Sequence, residues 1–330
     1  MKSLLFLSFI CLLIAIISGK AVENSDSEVE VQLDSNNDVQ EDSQVESQLV
    51  RKAFNYNKQR DLDVYYDEAL VDEKRPVIFH VHGGGWAEGS KEDEIYIGEF
   101  LQNNNFVVVA INYRLYPETE NIDDMVEDVY NALQWTIKNI YKYGGDEKQI
   151  TLMGHSAGAH LITLTTVKAT LKMKVNGIQL KPYHVKHLIS INGPHEFNNT
   201  YEEYLASAEQ MREISKLAPE LAFLANYAGA QEHCFAGKTG YDQVKILKEY
   251  KDKSIKFLGS EKFTFIECEN DTTVVLGSAD PMIEQINRTV KQVKIDHKIY
   301  PGDHMGVLDR IKDADPEMIK EVLSIINSVY

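Results

Sequence analysis

The sequence predicts an α/β fold, a mostly parallel central sheet flanked by helices. Two observations carry this expectation. Short β-branched apolar runs bounded by turn residues recur along the chain, and segments of helical periodicity lie between them. The runs are apolar enough to be buried on both faces, as parallel strands between helix layers are.

Taken in order, "LDVYYD" (residues 62–67) alternates as a strand and "EKRP" turns the chain. "PVIFHVH" and "FVVVAINY" read as buried strands, with the helix-like "KEDEIYIGEFLQNNN" between them. "NIDDMVEDVYNALQWTIKNI" (121–140) sets Val126, Val129, Ala132 or Leu133, and Ile137 on one side of a helix. "YGGDEKQ" breaks it, and "ITLMG" is the next strand. "HLISING" (187–193), "TVVLGSAD" (273–280) and "VKIDHKIYPG" read as further strands, and "DPEMIKEVLSIINSVY" as a closing amphipathic helix. The interval 195–262 is too long for an ordinary connection. Its helix-like stretches predict a lid-like insertion.

The chain opens on Lys2 and the apolar run Leu4–Ile17, followed by small residues at Gly19 and Ala21. This is the pattern of a secretory signal peptide over 1–21, or of an uncleaved signal anchor. The run is short for a bilayer span, and no other segment is long and apolar enough. Residues 22–50 read as an acidic, disordered leader, either a linker or a pro-segment: "ENSDSEVEVQLDSNNDVQEDSQVESQ" holds nine acidic residues, no basic ones and no aromatics. The domain proper is expected over 51–330. A net charge of −17 argues against a nucleic-acid partner. Of three cysteines, Cys11 lies in the signal segment, and Cys234 and Cys268 could pair in an oxidising compartment. Asn198, Asn270 and Asn287 head glycosylation sequons. No Cys/His cluster suggests a metal.

The chemistry centres on Gly154-His155-Ser156-Ala157-Gly158, a G-x-S-x-G turn directly after a strand and before a helix-compatible stretch. That setting suits a nucleophile elbow, in which a sharp turn presents the serine hydroxyl. A serine needs a base, and in this arrangement an acid and then a histidine follow along the chain. Asp280, at the end of the expected strand "TVVLGSAD", and His304, 24 residues later in "YPGDHMG", fill those roles. Asp303 is the rival acid. His160, His184, His187 and His297 are expected to be structural. "HVHGGGW" leaves glycine amides unobstructed after a strand, so Gly84, Gly85 and the amide of Ala157 are the candidate oxyanion hole. Trp86 either lines the substrate site or covers the core. Tyr113 and Arg114 are expected to brace the loop beneath this turn, and Trp135 to pack its helix on the sheet.

Together "HGGGW", "NYRLYPE", "ALQW", "YGGD" and "GHSAGAHL" resemble the α/β-hydrolase fold, and more narrowly its hormone-sensitive-lipase-like branch. Within that branch "HGGGW" and "GHSAGAHL" are most similar to the kynurenine formamidase and prenylcysteine methylesterase group. The resemblance runs from about Leu62 to the C-terminus and is strongest from Val77 to Leu164. It implies a serine hydrolase with no cofactor, acting on a small-molecule carboxylic ester or formamide; the expected reaction is ester hydrolysis through an acyl-enzyme. Two alternatives stand beside it: an arylformamidase, and a hydrolase fold retained only for binding. The insertion, the acidic leader and the signal segment depart from the family pattern, and a secreted or lumenal location is the expectation that the signal segment carries.

Overall fold

Eight strands form one sheet in the order β1-β2-β4-β3-β5-β8-β9-β10 in a computed structural model that describes residues 47–217 and 221–330. The strands are β1 (Leu49–Asn55), β2 (Asp61–Asp67), β3 (Arg75–Val81), β4 (Val107–Ile111), β5 (Gly145–His155), β8 (Val185–Ile191), β9 (Ser260–Cys268) and β10 (Lys294–Tyr300). A two-stranded ribbon, β6 (Lys174–Val175) and β7 (Ile178–Gln179), stands apart. From β4 to β10 every pairing is parallel; β2 is antiparallel to β4, and β1 to β2. The mostly parallel α/β sheet is therefore the fold.

Burial explains the order. Every residue of β4 is buried, whereas β1 is largely exposed and carries Arg51 and Lys52, as suits an edge. Alternate residues point to opposite faces. Val77, Phe79 and Val81 join one core, and Ile78 the other. On the first face lie α2 (Ile122–Asn139) and α3 (Ala157–Thr170); on the second lie α1 (Ile95–Asn103), α8 (Gly306–Lys312) and α9 (Pro316–Asn327). Asn121 caps α2, accepting the Asp123 N–H, and its apolar stripe includes Met125, Val126, Val129 and Leu133. Gln48–Tyr330 form a single compact unit.

Three expectations change. The first strand begins at Leu49, inside the stretch assigned to the leader; the signal segment and the leader up to residue 46 lie outside the described residues. "TVVLGSAD" is not a strand: Asp271 Oδ1 accepts the N–H groups of both Thr273 and Val274, curling the stretch into turns and leaving Val275 and Leu276 exposed. The strand there is β9, immediately upstream. Cys234 and Cys268 are both buried and free, not bonded to each other.

The lid-like insertion between β8 and β9 contains α4 (Tyr201–Ser215), α5 (Phe223–Ala230), a π-turn over Gln231–Phe235 and α6 (Gln243–Lys248). Thr200 and Glu203 close a capping box at the start of α4. The remaining helix, α7 (Asp280–Thr289), crosses between β9 and β10.

Candidate active site

The chemistry-bearing residues follow the C-terminal ends of the parallel strands, the edge where open α/β sheets build sites. Gly83 follows β3, Ser156 follows β5, Asn192 follows β8, Asp271 follows β9 and His304 follows β10.

Ser156 sits at the corner between β5 and α3 with φ 52° and ψ −121°, a conformation that non-glycine residues adopt at functional turns. Its N–H donates to the Ile191 carbonyl at 2.9 Å, fixing the corner to β8. The flanking glycines are required by contact. A Cβ on Gly158 would lie 2.1 Å from the Val81 carbonyl oxygen, and one on Gly154 would lie 2.7 Å from the Gly158 carbonyl carbon.

His304 Nε2 lies 2.8 Å from Ser156 Oγ, and His304 Nδ1 lies 2.7 Å from Asp271 Oδ2. A carboxylate can only accept, so the proton of a neutral ring sits on Nδ1, and Nε2 is free to take the serine proton. Asp271 is 1% exposed and His304 18%, so the carboxylate is buried and the imidazole is partly open to solvent.

Asp280 is not part of this hydrogen-bonded series. It is the first residue of α7, its side chain is 69% exposed, and its nearest ionisable partner is His297 Nδ1 at 3.8 Å. His297 in turn bonds Glu267 at 2.5 Å, and Glu267 Oε1 receives Gly277 N–H, Ala279 N–H and the Ser278 hydroxyl. The acid follows a strand, as expected, but that strand is β9, which places Asp271 rather than Asp280 beside His304. Asp303 accepts the Met305 N–H and serves its own turn.

The glycine turn after β3 presses on the nucleophile. A Cβ on Gly83 would lie 3.3 Å from Ser156 Cβ. Gly84 and Gly85 have φ 106° and 58°, and the Gly84 carbonyl receives the N–H groups of Ala87 and Glu88. Ala157 opens α3, where backbone N–H groups lack helical partners. Beneath the turn, Glu94 Oε1 is 3.5 Å from the Gly83 nitrogen and Oε2 is 2.5 Å from His80 Nε2. Burial raises the Glu94 carboxyl, but the His80 hydrogen bond and the nearby His80, His155 and His82 charges pull it down to about 2. Tyr113 donates to the His82 and Gly83 carbonyls, and Arg114 pairs with Asp128 at 2.7 Å, bracing the loop against α2. Trp135 packs against Phe54 and Tyr143, beside the sheet edge.

Trp86 is only 4% exposed, and the structure places it in the core rather than on an open wall. Its indole N–H donates to His160 Nδ1 at 3.1 Å, and its ring meets Phe197 and Phe235 of the insertion. His160 donates from Nε2 to the Tyr241 carbonyl at 2.8 Å, so both of its nitrogens are satisfied. Burial drives it down to about 4, and it stays neutral. The insertion also reaches the glycine turn: a Cβ on Gly85 would lie 2.6 Å from the Tyr227 ring.

Residues 62–233, just over half of the chain, match the model of the BD-FAE family. The chain belongs to the BD-FAE family. The match includes Gly84 and Ser156, whereas Asp271 and His304 lie beyond it. This BD-FAE chain is 35% identical over 133 residues to the probable isoprenylcysteine alpha-carbonyl methylesterase ICMEL1 of Arabidopsis thaliana, covering 40% of the chain and 28% of that protein. It is 27% identical over 280 residues to the probable isoprenylcysteine alpha-carbonyl methylesterase ICME of Oryza sativa subsp. japonica, covering 81% and 61%. The chain thus spans well under two thirds of the first relative and a little under two thirds of the second. Its fold matches esterase B from Lactobacillus rhamnosis with a TM-score of 0.62 at 18% identity, covering 87% of each chain.

Proposed function

We propose that this BD-FAE chain is a serine carboxylic ester hydrolase. The observation that carries the reading is the hydrogen-bonded series Ser156–His304–Asp271, at 2.8 and 2.7 Å. His304 takes the Ser156 proton as the oxygen attacks the acyl carbon, then returns it to the leaving alcohol. Asp271 holds the ring and stabilises the imidazolium that forms. Gly84, Gly85 and Ala157 supply the N–H groups that receive the oxyanion. Water releases the acyl-enzyme.

The methylesterase names of both plant relatives support an ester over an amide. They also support placing the chain beside the prenylcysteine methylesterase group, as "HGGGW" and "GHSAGAHL" do. A secretory location remains part of the proposal: the N-terminal segment supports it, and Asn198, Asn270 and Asn287 are all exposed, as glycan acceptors must be. Among the described residues no helix is long and apolar enough to cross a membrane.

The test is hydrolysis of p-nitrophenyl acetate, butyrate and decanoate, with N-formylkynurenine alongside, by wild type and Ser156→Ala. Ester turnover that falls on the order of 10⁶-fold in the variant is expected by analogy with another triad enzyme. Formamide turnover far above the esters would replace the esterase by an arylformamidase. No serine-dependent turnover would overturn both.

A further inference from the structure

His304 stands in a loop between β10 and α8, yet its imidazole must hold two hydrogen bonds at once. Its backbone carbonyl is gripped by two side chains. His155 Nε2 lies 2.8 Å from that oxygen, and Asn192 Nδ2 also lies 2.8 Å from it. One carbonyl has two lone pairs, and both are occupied. We infer that His155 and Asn192 are positioning residues, which together set where the base stands between Ser156 and Asp271. The inference rests on the Ser156 hydrolase reading and adds to it two residues that act through the His304 backbone.

Each member of the clamp is tied to a rigid strand end. His155 is the last residue of β5 and is joined directly to Ser156. Asn192 follows β8 directly, and its N–H donates to Ile266 of β9 at 2.8 Å. Its φ of 47° is the left-handed conformation that asparagine tolerates better than most side chains. The clamp therefore refers the loop position to three buried parallel strands. It also joins the base to the glycine turn, because a Cβ on Gly83 would lie 2.9 Å from His155 Nδ1. One imidazole is wedged between the oxyanion turn and the base loop, its ring centre 4.8 Å from that of His304.

A histidine suits this place because it donates without carrying charge. Burial, and then the nearby His304 charge, push His155 down to about 4. At neutral pH it offers one N–H to the carbonyl and places no cation beside the imidazolium that must form on His304. A lysine or arginine donor at this place would be a cation and would oppose that charge.

Catalysis is sensitive to placement: a misplacement of about 1 Å can cost on the order of 10²-fold. Four variants of the full chain separate positioning from plain packing. His155→Phe keeps a ring and removes the donor. His155→Gln keeps an N–H donor. Asn192→Gly keeps the left-handed backbone and removes the donor, and the fourth combines His155→Phe with Asn192→Gly. Turnover of p-nitrophenyl acetate is measured per active site, counted by phosphonate titration, with thermal midpoints alongside.

The expected result is kcat lower by roughly 10- to 100-fold in each donor-less single variant, with KM within about twofold. His155→Gln should recover most of the loss, and the double variant should fall below either single one. Unchanged kcat per site, or a lowered thermal midpoint with kcat intact, would overturn the clamp. Wild type that turns over while all variants match it sinks the clamp alone. Wild type with no Ser156-dependent turnover or phosphonate labelling sinks the hydrolase reading and the clamp with it.

Discussion

Asp271 Oδ2 faces His304 Nδ1 at 2.7 Å while its other oxygen, Oδ1, accepts the N–H groups of Thr273 and Val274 at 2.8 Å each. The carboxylate is thus both the orienting acid and the cap of its own loop. Fixing one oxygen on the backbone leaves the other a single direction, toward the base. That arrangement explains how an acid on a loop can hold an imidazole firmly enough for proton transfer.

The glycine turn should be intolerant of a methyl group, but for different reasons at its two positions. On Gly84 a Cβ would lie 2.0 Å from the Glu88 carbonyl oxygen, which is backbone and cannot swing away. On Gly85 it would meet the Tyr227 ring at 2.6 Å, which can turn. Gly84→Ala is therefore expected to lower both the thermal midpoint and kcat, the latter by roughly 10²–10³-fold, the typical cost of an oxyanion donor. Gly85→Ala should lose turnover with a smaller loss of stability. Differential scanning fluorimetry beside steady-state kinetics reads both.

Tyr227 brings α5 of the insertion against the glycine turn at Gly85, so under the proposed mechanism its ring should limit the space for the acyl group. Tyr227→Ala is expected to raise kcat/KM for p-nitrophenyl decanoate relative to the acetate by about tenfold, about 1.4 kcal/mol. An unchanged chain-length profile would mean that the acyl group lies elsewhere.

Buried histidines should make the fold sensitive to acid. Burial is the main cause that pushes His155 and His160 down to about 4, and His187 and His195 down to about 3, from an ordinary 6.5. Below about pH 6.5 the unfolded chain binds protons on these rings and the folded chain does not, so stability falls as the pH drops toward 4. Glu94, held at about 2 in the fold, acts in the same direction lower down: the stability it contributes above its ordinary 4.5 is lost as pH falls through 2. Urea midpoints should be level above about pH 7 and decline steadily from 6.5 to 4. A flat profile across that interval would show that these rings are not held neutral.

Much of the site is legible in the sequence because its chemistry is written locally. Gly154 to Gly158 combine a strand end, a tight corner and a helix start within five residues, and His304 follows a strand in a short polar loop. The acid is harder. "TVVLG" has the β-branched content of a strand, but the side chain of Asp271 takes the N–H groups a strand would need, and the stretch turns. Periodicity registers apolar residues and not such a local competitor. The clamp on His304 lies beyond any local pattern, since His155 and Asn192 reach it across 149 and 112 residues. Trp86 is ambiguous in the sequence because Phe197 and Phe235, which cover it, come from the insertion far along the chain.

The most direct test of the account is kcat for p-nitrophenyl acetate in Asp271→Ala and Asp280→Ala, measured beside wild type and Ser156→Ala. Alanine is preferred at 271 because Asp271→Asn would create a new glycosylation sequon with Thr273. The Ser156–His304–Asp271 arrangement predicts a loss on the order of 10⁴-fold for Asp271→Ala, by analogy with other triad enzymes, and near wild-type turnover for Asp280→Ala. The reverse pattern, or full activity in both, would contradict it.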